Sequence, residues 1–143
     1  MIAENDIRPF RTIRDKDVAS KIMWGTGRIG YIESISPSEL LKVFGLPTFT
    51  EEDSGDGKVH VEWVVRFTDK ETFQEHIFSV YSWKWTFNPF EEPETRRRFN
   101  VGGSFESKEI VHNFVDSVID YVYNWVLLLD ESSSLVNVRG RVW

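Results

Sequence analysis

Tryptophan, lysine and arginine side chains gather in two short segments that are suited to holding an anion. A Trp-Lys-Trp segment is followed, one loop later, by three consecutive arginines and then by a glycine pair that precedes a helical pattern. Arginine forks bind phosphate or carboxylate oxygens, indole rings stack on bases, and glycines let an anion approach the free N–H groups of a helix N-terminus. The sequence therefore predicts a site for a small anionic ligand such as a nucleotide. The predicted ligand-binding residues are Trp83, Lys84, Trp85, Arg96, Arg97, Arg98, Gly102 and Gly103.

The same residues also fit a purely structural interpretation. Glu91, Glu92 and Glu94 lie just before the arginines and are suited to pair with them. Trp83 and Trp85 are two residues apart, so in a strand they share one face and both can belong to the core. The sequence alone leaves these two interpretations open.

Metal and thiol chemistry have little support in the sequence. The chain has no cysteine, which excludes disulfides, thiol catalysis and cysteine-ligated zinc. His60, His76 and His112 lie on separate predicted elements without metal-ligand spacing, and the acidic loop at 51–56 does not match a calcium-binding loop. We therefore expect no metal and no cofactor.

Catalytic arrangements are equally weak. Ser104 follows a glycine pair but lacks the G-x-S-x-G context of a nucleophile, so we predict that it caps a helix. Glu62, on the polar face of a predicted strand, is a candidate general base for which the sequence names no partner. The letters GTGRIG at 25–30 match a dinucleotide fingerprint, but an extended segment follows where that motif requires a helix. The sequence favours binding over catalysis.

Length and charge restrict the class of protein further. A chain of 143 residues fits one domain, which we expect to span 1–143 with a loosely ordered segment at 1–23 and a tail at 130–143. The net charge of −6 disfavours a duplex nucleic-acid partner. No secretory signal and no membrane-spanning run is recognisable, so we expect a cytoplasmic protein. Residues 1–50 hold seven basic and six acidic side chains, which leaves room for a local basic site.

These side chains must be positioned by strands and helices whose periodicity is visible. Alternation over 59–67 predicts a strand that returns, through a hairpin, over 73–85. Shorter strands are predicted at 28–34 and 99–103. Apolar residues recurring every three to four positions predict a long helix at about 105–129. The predicted fold is α+β, an antiparallel sheet of four or five strands with the long C-terminal helix packed on one face.

Further patterns predict two shorter helices, an edge strand and the core. Residues 15–23 have a weak helical pattern, whereas Ser36, Pro37 and Glu39 form a capping-box sequence that opens a second helix. An edge strand is predicted at 135–138. The side chains that we expect to be mostly buried are Trp63, Phe67, Phe114, Val118 and Trp125.

Four segments together resemble a group of small uncharacterised proteins from phages and large DNA viruses. They are FG-x-P closing a helix (40–47), DGK before an E-W strand (56–63), Y-x-W-K (81–84) and a glycine pair before the last helix (101–103). The resemblance covers about residues 30–125. It implies an accessory factor in the host cytoplasm that blocks host defence, either by sequestering a signal nucleotide or by binding a host protein.

A protein-interaction module is the rival hypothesis. Interfaces are enriched in aromatic residues and arginine, and aromatic residues make up 15% of this chain. Phe87, Phe90 and Trp143 lie where a core need not include them. Self-association into a homo-oligomer would be its simplest form.

Overall fold

An antiparallel sheet with a long helix across one face forms the fold in the computed structural model, which describes residues 10–53, 61–83 and 89–134. The six strands lie in the order β1-β4-β5-β6-β2, and the short β3 pairs with β4. The strands are β1 (Phe10–Thr12), β2 (Gly27–Ile35), β3 (Phe49–Thr50), β4 (Val61–Thr68), β5 (Glu75–Tyr81) and β6 (Arg97–Gly103). The helices are α1 (Lys16–Met23), α2 (Pro37–Phe44) and α3 (Lys108–Ser134).

The predicted α+β class is confirmed, and the differences lie in short elements and element ends. β1 and β3 were not predicted because strands of three and two residues are too short to show alternation. β5 ends at Tyr81, so the returning strand is shorter than 73–85. Residues 10–23 of the expected loose segment form β1 and α1, and α3 extends into the expected tail as far as Ser134. The predicted strand at 135–138 lies outside the described residues.

Local capping interactions explain where the helices begin. The Ser36 side chain accepts a hydrogen bond from the Glu39 N–H, and the Glu39 side chain accepts one from the Ser36 N–H, which confirms the predicted capping box. Ser104 is also confirmed as a cap, since its hydroxyl accepts from the Ser107 N–H. It caps a 3-10 turn that precedes α3, so the α-helix begins at Lys108 and not at Phe105.

The main core lies between α3 and the sheet. Trp63, Phe67 and Val118 are 0%, 3% and 1% exposed, as predicted. Phe114 is half-buried, with its ring stacked on Phe67 at a centroid distance of 4.1 Å. The side chain of Trp125 is outside the described part of the structure. The predicted face of the long helix is therefore correct wherever its side chains are described.

The second face of the sheet carries a smaller apolar cluster. Ile13, Ala19 and Val64 are buried together, with α1 lying over β4. Val64 pairs with Ser79 of β5, and the row continues across the sheet with polar residues and glycine. α1 packs against β4 and β5, and the positions beyond it on β5, β6 and β2 carry mostly polar side chains.

Two irregularities in β2 decide which of its side chains face which way. Arg28 pairs with Gly102 but Gly30 pairs with Val101, so one extra residue stands in β2 at this point. Ile29 is buried in the main core and Gly30 faces His112 of α3. Such a bulge shifts the alternation by one residue. Arg28 and Tyr31, three residues apart, consequently lie on the same second face of the sheet.

We expect Gly30→Ala to destabilise the protein by about 1–3 kcal/mol, because a methyl group there overpacks the helix–sheet contact. A Cβ at Gly30 would lie 2.4 Å from His112 Nε2, which is itself 3.0 Å from the Ile29 carbonyl oxygen. Gly27→Ala in the same strand is the control, since a Cβ at that position meets nothing within 4 Å. Urea unfolding of both variants measures the difference, and equal stabilities would contradict this packing.

Candidate functional site

Polar side chains form two adjacent rows on the second face of the sheet. In one row Glu62 pairs with Tyr81, Tyr81 with Asn100 and Asn100 with Tyr31. In the other, Ser79 pairs with Gly102 and Gly102 with Arg28. We call this surface the polar sheet face. It consists of Arg28, Tyr31, Glu62, Ser79, Tyr81, Arg98, Asn100 and Gly102.

Gly102 shapes the middle of the polar sheet face by having no side chain. A Cβ at this position would lie 2.7 Å from Ser79 Oγ and 3.3 Å from the Tyr81 ring. The ring and the hydroxyl therefore lie against the backbone of β6, where a larger residue would displace them. Asn100 is the cross-strand partner of Tyr81 on β6.

The β2 end of the polar sheet face is cationic. Tyr31 is 41% exposed, and two guanidinium carbons lie near its ring centroid, Arg28 Cζ at 4.7 Å and Arg98 Cζ at 4.6 Å. Arg98 also donates to Glu33 at 3.0 Å, but both side chains are mostly exposed, so this ion pair is weak. Arg28 forms no ion pair with any carboxylate in the described part of the chain. The ring of one tyrosine therefore holds two guanidinium groups at the β2 end of the face.

The β4 end of the polar sheet face carries a carboxylate and an adjoining cavity. A cavity of about 360 Å³ lies between α1 and β3, and its lining includes Met23, Trp24, Phe49 and Glu62. Trp24 is 86% exposed at this site. Burial raises the pKa of Glu62, and a hydrogen bond from Ser79 opposes the shift only in part. Glu62 is thus a carboxyl group that gains a proton more readily than an exposed glutamate.

Tyr81 links the two ends electrostatically. Burial and the charge of Glu62 raise the pKa of its phenol, whereas the hydrogen bond with Asn100 and the charge of Arg28 lower it. The net shift is upward, so Tyr81 keeps its proton and remains a hydrogen-bond donor at neutral pH. The polar sheet face therefore offers cations, neutral donors and a protonatable acid in one row.

The arginine run predicted from the sequence does not act as one cluster. Arg96 donates two hydrogen bonds to the buried Glu39, at 3.1 and 2.7 Å, and Arg97 donates to Glu92 at 2.7 Å. Only Arg98 belongs to the polar sheet face. The structural interpretation is correct for Arg97, while the partners of Arg96 and Arg98 come from distant parts of the sequence.

The predicted glycine pair lies inside the sheet and not at a helix N-terminus. β6 is hydrogen-bonded between β5 and β2, and Gly102 and Gly103 are both buried in it. A Cβ at Gly103 would lie 2.9 Å from the Ile29 side chain, so this glycine allows close packing. The long helix was predicted to begin at about Phe105 after the Ser104 cap, but a 3-10 turn at Phe105–Ser107 comes first and α3 begins at Lys108. Trp83 is 44% exposed, and Lys84 and Trp85 lie outside the described residues.

Two motifs weighed in the sequence can now be placed. Gly25 adopts a turn with φ of +83°, and the GTGRIG letters continue into β2, so the helix that a dinucleotide loop requires is not there. His76 Nδ1 lies 3.0 Å from Ser107 Oγ, on a different element from His112. His60 is outside the described residues. In 10–53, 61–83 and 89–134, no three potential metal ligands come together.

Sequence reasoning singled out Glu62 but missed most of its surroundings. Its neighbours Ser79 and Tyr81 were predicted only as part of the returning strand at 73–85, and Arg28 and Tyr31 were not considered together. The available signal was the set of polar residues that alternate with core residues in β4 and β6. The bulge that brings Arg28 and Tyr31 to one face carries no comparable signal, because it depends on the register with β6.

Comparisons with known proteins add no relative. Neither a protein-family model, nor a curated protein, nor a solved structure matches the chain. Within the described ranges, no helix combines the length and apolar character needed to span a membrane.

Proposed function

We propose that the protein binds a small anionic ligand, with a nucleotide as the best fit, on the polar sheet face and does not transform it. The observation that carries this proposal is a polar row with different groups at its two ends. Two guanidinium groups lie over Tyr31 at one end, and Glu62 with its adjoining cavity lies at the other. Three strand spacings separate Tyr31 from Glu62, which is about 14 Å between their Cα atoms. A ligand with an anionic end and a planar polar end matches this arrangement.

The cationic end suits a phosphate group. Guanidinium groups donate two parallel hydrogen bonds to phosphate oxygens, and Arg28 and Arg98 are both exposed. Their stacking on Tyr31 restricts the side chains before a ligand arrives, so less conformational entropy is lost on binding. Glu33 competes for Arg98 only through a surface ion pair. Arg28 is therefore the main phosphate contact and Arg98 the second.

The Glu62 end suits a base. The cavity of about 360 Å³ is within the size range of small-molecule pockets, and Met23 and Trp24 supply an apolar and an aromatic surface there. Glu62 accepts a hydrogen bond when ionised and donates one when protonated, so it can recognise either edge of a base. Its raised pKa favours the protonated state more than in an exposed glutamate.

Binding without turnover follows from the accessibility of the groups that would react. Ser79 is the hydroxyl hydrogen-bonded to Glu62, but it is only 1% exposed beside the β6 backbone. A nucleophile has to reach the substrate with attack geometry. Ser79 therefore positions Glu62, and the polar sheet face supports recognition better than covalent chemistry.

The test is a thermal-shift screen of the protein against mono-, di- and cyclic nucleotides. A ligand present at 100 times its Kd should stabilise the fold by about 2.7 kcal/mol. Arg28→Ala and Arg98→Ala should each weaken binding about tenfold or more, because each removes a charge-assisted hydrogen bond. Arg97→Ala is the matched control, since Arg97 contacts Glu92 and lies outside the polar sheet face.

Unchanged melting with every nucleotide, or full binding by Arg28→Ala, would reject the nucleotide site. The interaction module would then be the better hypothesis. Phe90 packs against the core, and Phe87 and Trp143 lie outside the described residues. Phe73 and Phe105, 80% and 78% exposed, are the aromatic side chains that a protein partner or a second copy would meet.

The resemblance to viral accessory proteins suggests a biological role for the proposed binding. A domain that holds a nucleotide without consuming it lowers the free concentration of that nucleotide. In the cytoplasm of an infected host cell, this would silence a nucleotide signal. The proposal therefore extends to sequestration, and cyclic nucleotides belong in the first screen.

A further inference from the structure

Three arginines surround a separate cleft on the other side of α1. Arg11, Arg14 and Arg66 line a cavity of about 280 Å³ together with Asp15 and Val18 at the start of α1. A smaller neighbouring cavity of about 140 Å³ shares Arg11 and Arg66. None of the residues lining either cavity belongs to the polar sheet face. We call this surface the arginine cleft.

Two of these arginines lie opposite each other on neighbouring strands, although their like charges repel. Arg11 of β1 and Arg66 of β4 are direct cross-strand partners. Like charges directly opposite each other in an antiparallel pair are destabilising. The nearest carboxylate contact of Arg66 is Glu75 at 3.9 Å, a long ion pair whose glutamate is 63% exposed. The protein thus maintains a repulsive pair that its own acids neutralise only weakly.

The other acid of the arginine cleft, Asp15, uses one of its carboxylate oxygens to cap a helix. The Asp15 carboxylate caps α1 and accepts hydrogen bonds from the N–H groups of Asp17 and Val18, at 3.0 and 3.1 Å. Arg11 and Arg14 are exposed and form no ion pair with any carboxylate in the described ranges. Their donors are therefore available to an anion from solution.

We propose that the arginine cleft binds a compact oxyanion with at least two negative charges, of the phosphate or pyrophosphate class. Three guanidinium groups around one cavity provide enough donors to surround such an ion. The bound ion would also cancel the repulsion between Arg11 and Arg66. This site is independent of the nucleotide site, so either can exist without the other.

The test is titration of the full chain with pyrophosphate, monitored by melting temperature and by calorimetry. Arg14→Gln and Arg11→Gln should each raise the Kd about tenfold or more. Lys21→Gln removes one charge from exposed α1 away from the cleft and should leave the Kd unchanged.

Arg11→Glu provides a second test, in which unfolding of the variant cannot be the cause of lost binding. It replaces the repulsive pair by a cross-strand Glu–Arg pair, so the ligand-free protein should melt at a higher temperature while its response to pyrophosphate disappears. Normal pyrophosphate binding by Arg14→Gln, or an equal response to chloride at matched ionic strength, would overturn the proposal. Loss of the response in Arg28→Ala alone would place the anion on the polar sheet face, overturning this proposal but not the nucleotide site.

Discussion

Replacing Trp63 with alanine is expected to lower the free energy of unfolding by about 3–5 kcal/mol, a large part of the stability of a small domain. The Trp63 side chain is 0% exposed, and its ring meets Phe99 edge to face at a centroid distance of 6.4 Å. Its indole N–H also donates to the Gly45 carbonyl oxygen at 2.8 Å, which ties β4 to the end of α2. The substitution therefore leaves a cavity and a carbonyl without its partner.

Trp63→Phe separates these two contributions. Phenylalanine retains much of the buried apolar area but cannot donate to Gly45, so we expect a smaller loss of about 1–2 kcal/mol. Denaturant unfolding of both variants, followed by circular dichroism, provides the measurement. A soluble Trp63→Ala protein that melts within a degree or two of the parent would show that this packing is wrong.

Arg96→Ala is expected to cost about 2 kcal/mol at neutral pH, because it removes the charge partner of a buried carboxylate. The Glu39 side chain is 9% exposed, and the Arg96 side chain is 44% exposed, which keeps the expected cost below that of a fully buried pair. Arg96 also lies over the Tyr123 ring, with its Cζ 4.9 Å from the centroid. Arg97→Ala is the control, since its partner Glu92 is 57% exposed and its loss should change stability by less than about 0.5 kcal/mol.

The cost of Arg96→Ala should depend on pH in a defined direction. Burial alone would raise the pKa of Glu39, but hydrogen bonds from Arg96 and from the Ser36 N–H hold it below its ordinary value of 4.5. A lowered pKa in the folded state contributes stability above pH 4.5 that is lost as the pH falls through the folded value. The difference between parent and variant should therefore be largest near pH 7 and shrink below about pH 4. A difference that is constant with pH would exclude this charge pairing.

The sequence was sufficient for the architecture wherever an element depends on its own residues. The alternation of β4, the periodicity of α3 and the capping box of α2 are local patterns with one physical solution each. β1 and β3 were not predicted because their strand conformation comes from pairing with β4 and not from their own few residues. The start of α3 was misplaced because a serine cap fits a 3-10 turn and an α-helix equally well.

The site was less accessible to sequence reasoning because its members meet only through strand register. Arg96 is only four residues from Glu92, yet its partner is Glu39, which is 57 residues away. Arg28 and Arg98 converge on Tyr31 only after β2 and β6 pair around a bulge. Residue types indicated that arginines and aromatic rings would recognise a ligand. Only the register of the folded sheet determines which of these residues share a surface.

The irregular register of β2 also bears on how the protein avoids aggregation. β2 has β6 on one side and no described strand on the other, so it is an edge of the sheet. A long, flat edge invites a strand from another molecule. The two register shifts of β2, together with the exposed charges of Arg28 and Glu33, interrupt the regular ladder that such a strand would need. Deleting the two extra residues would leave seven residues of regular open edge, and the protein would then be expected to form fibrils or swapped dimers.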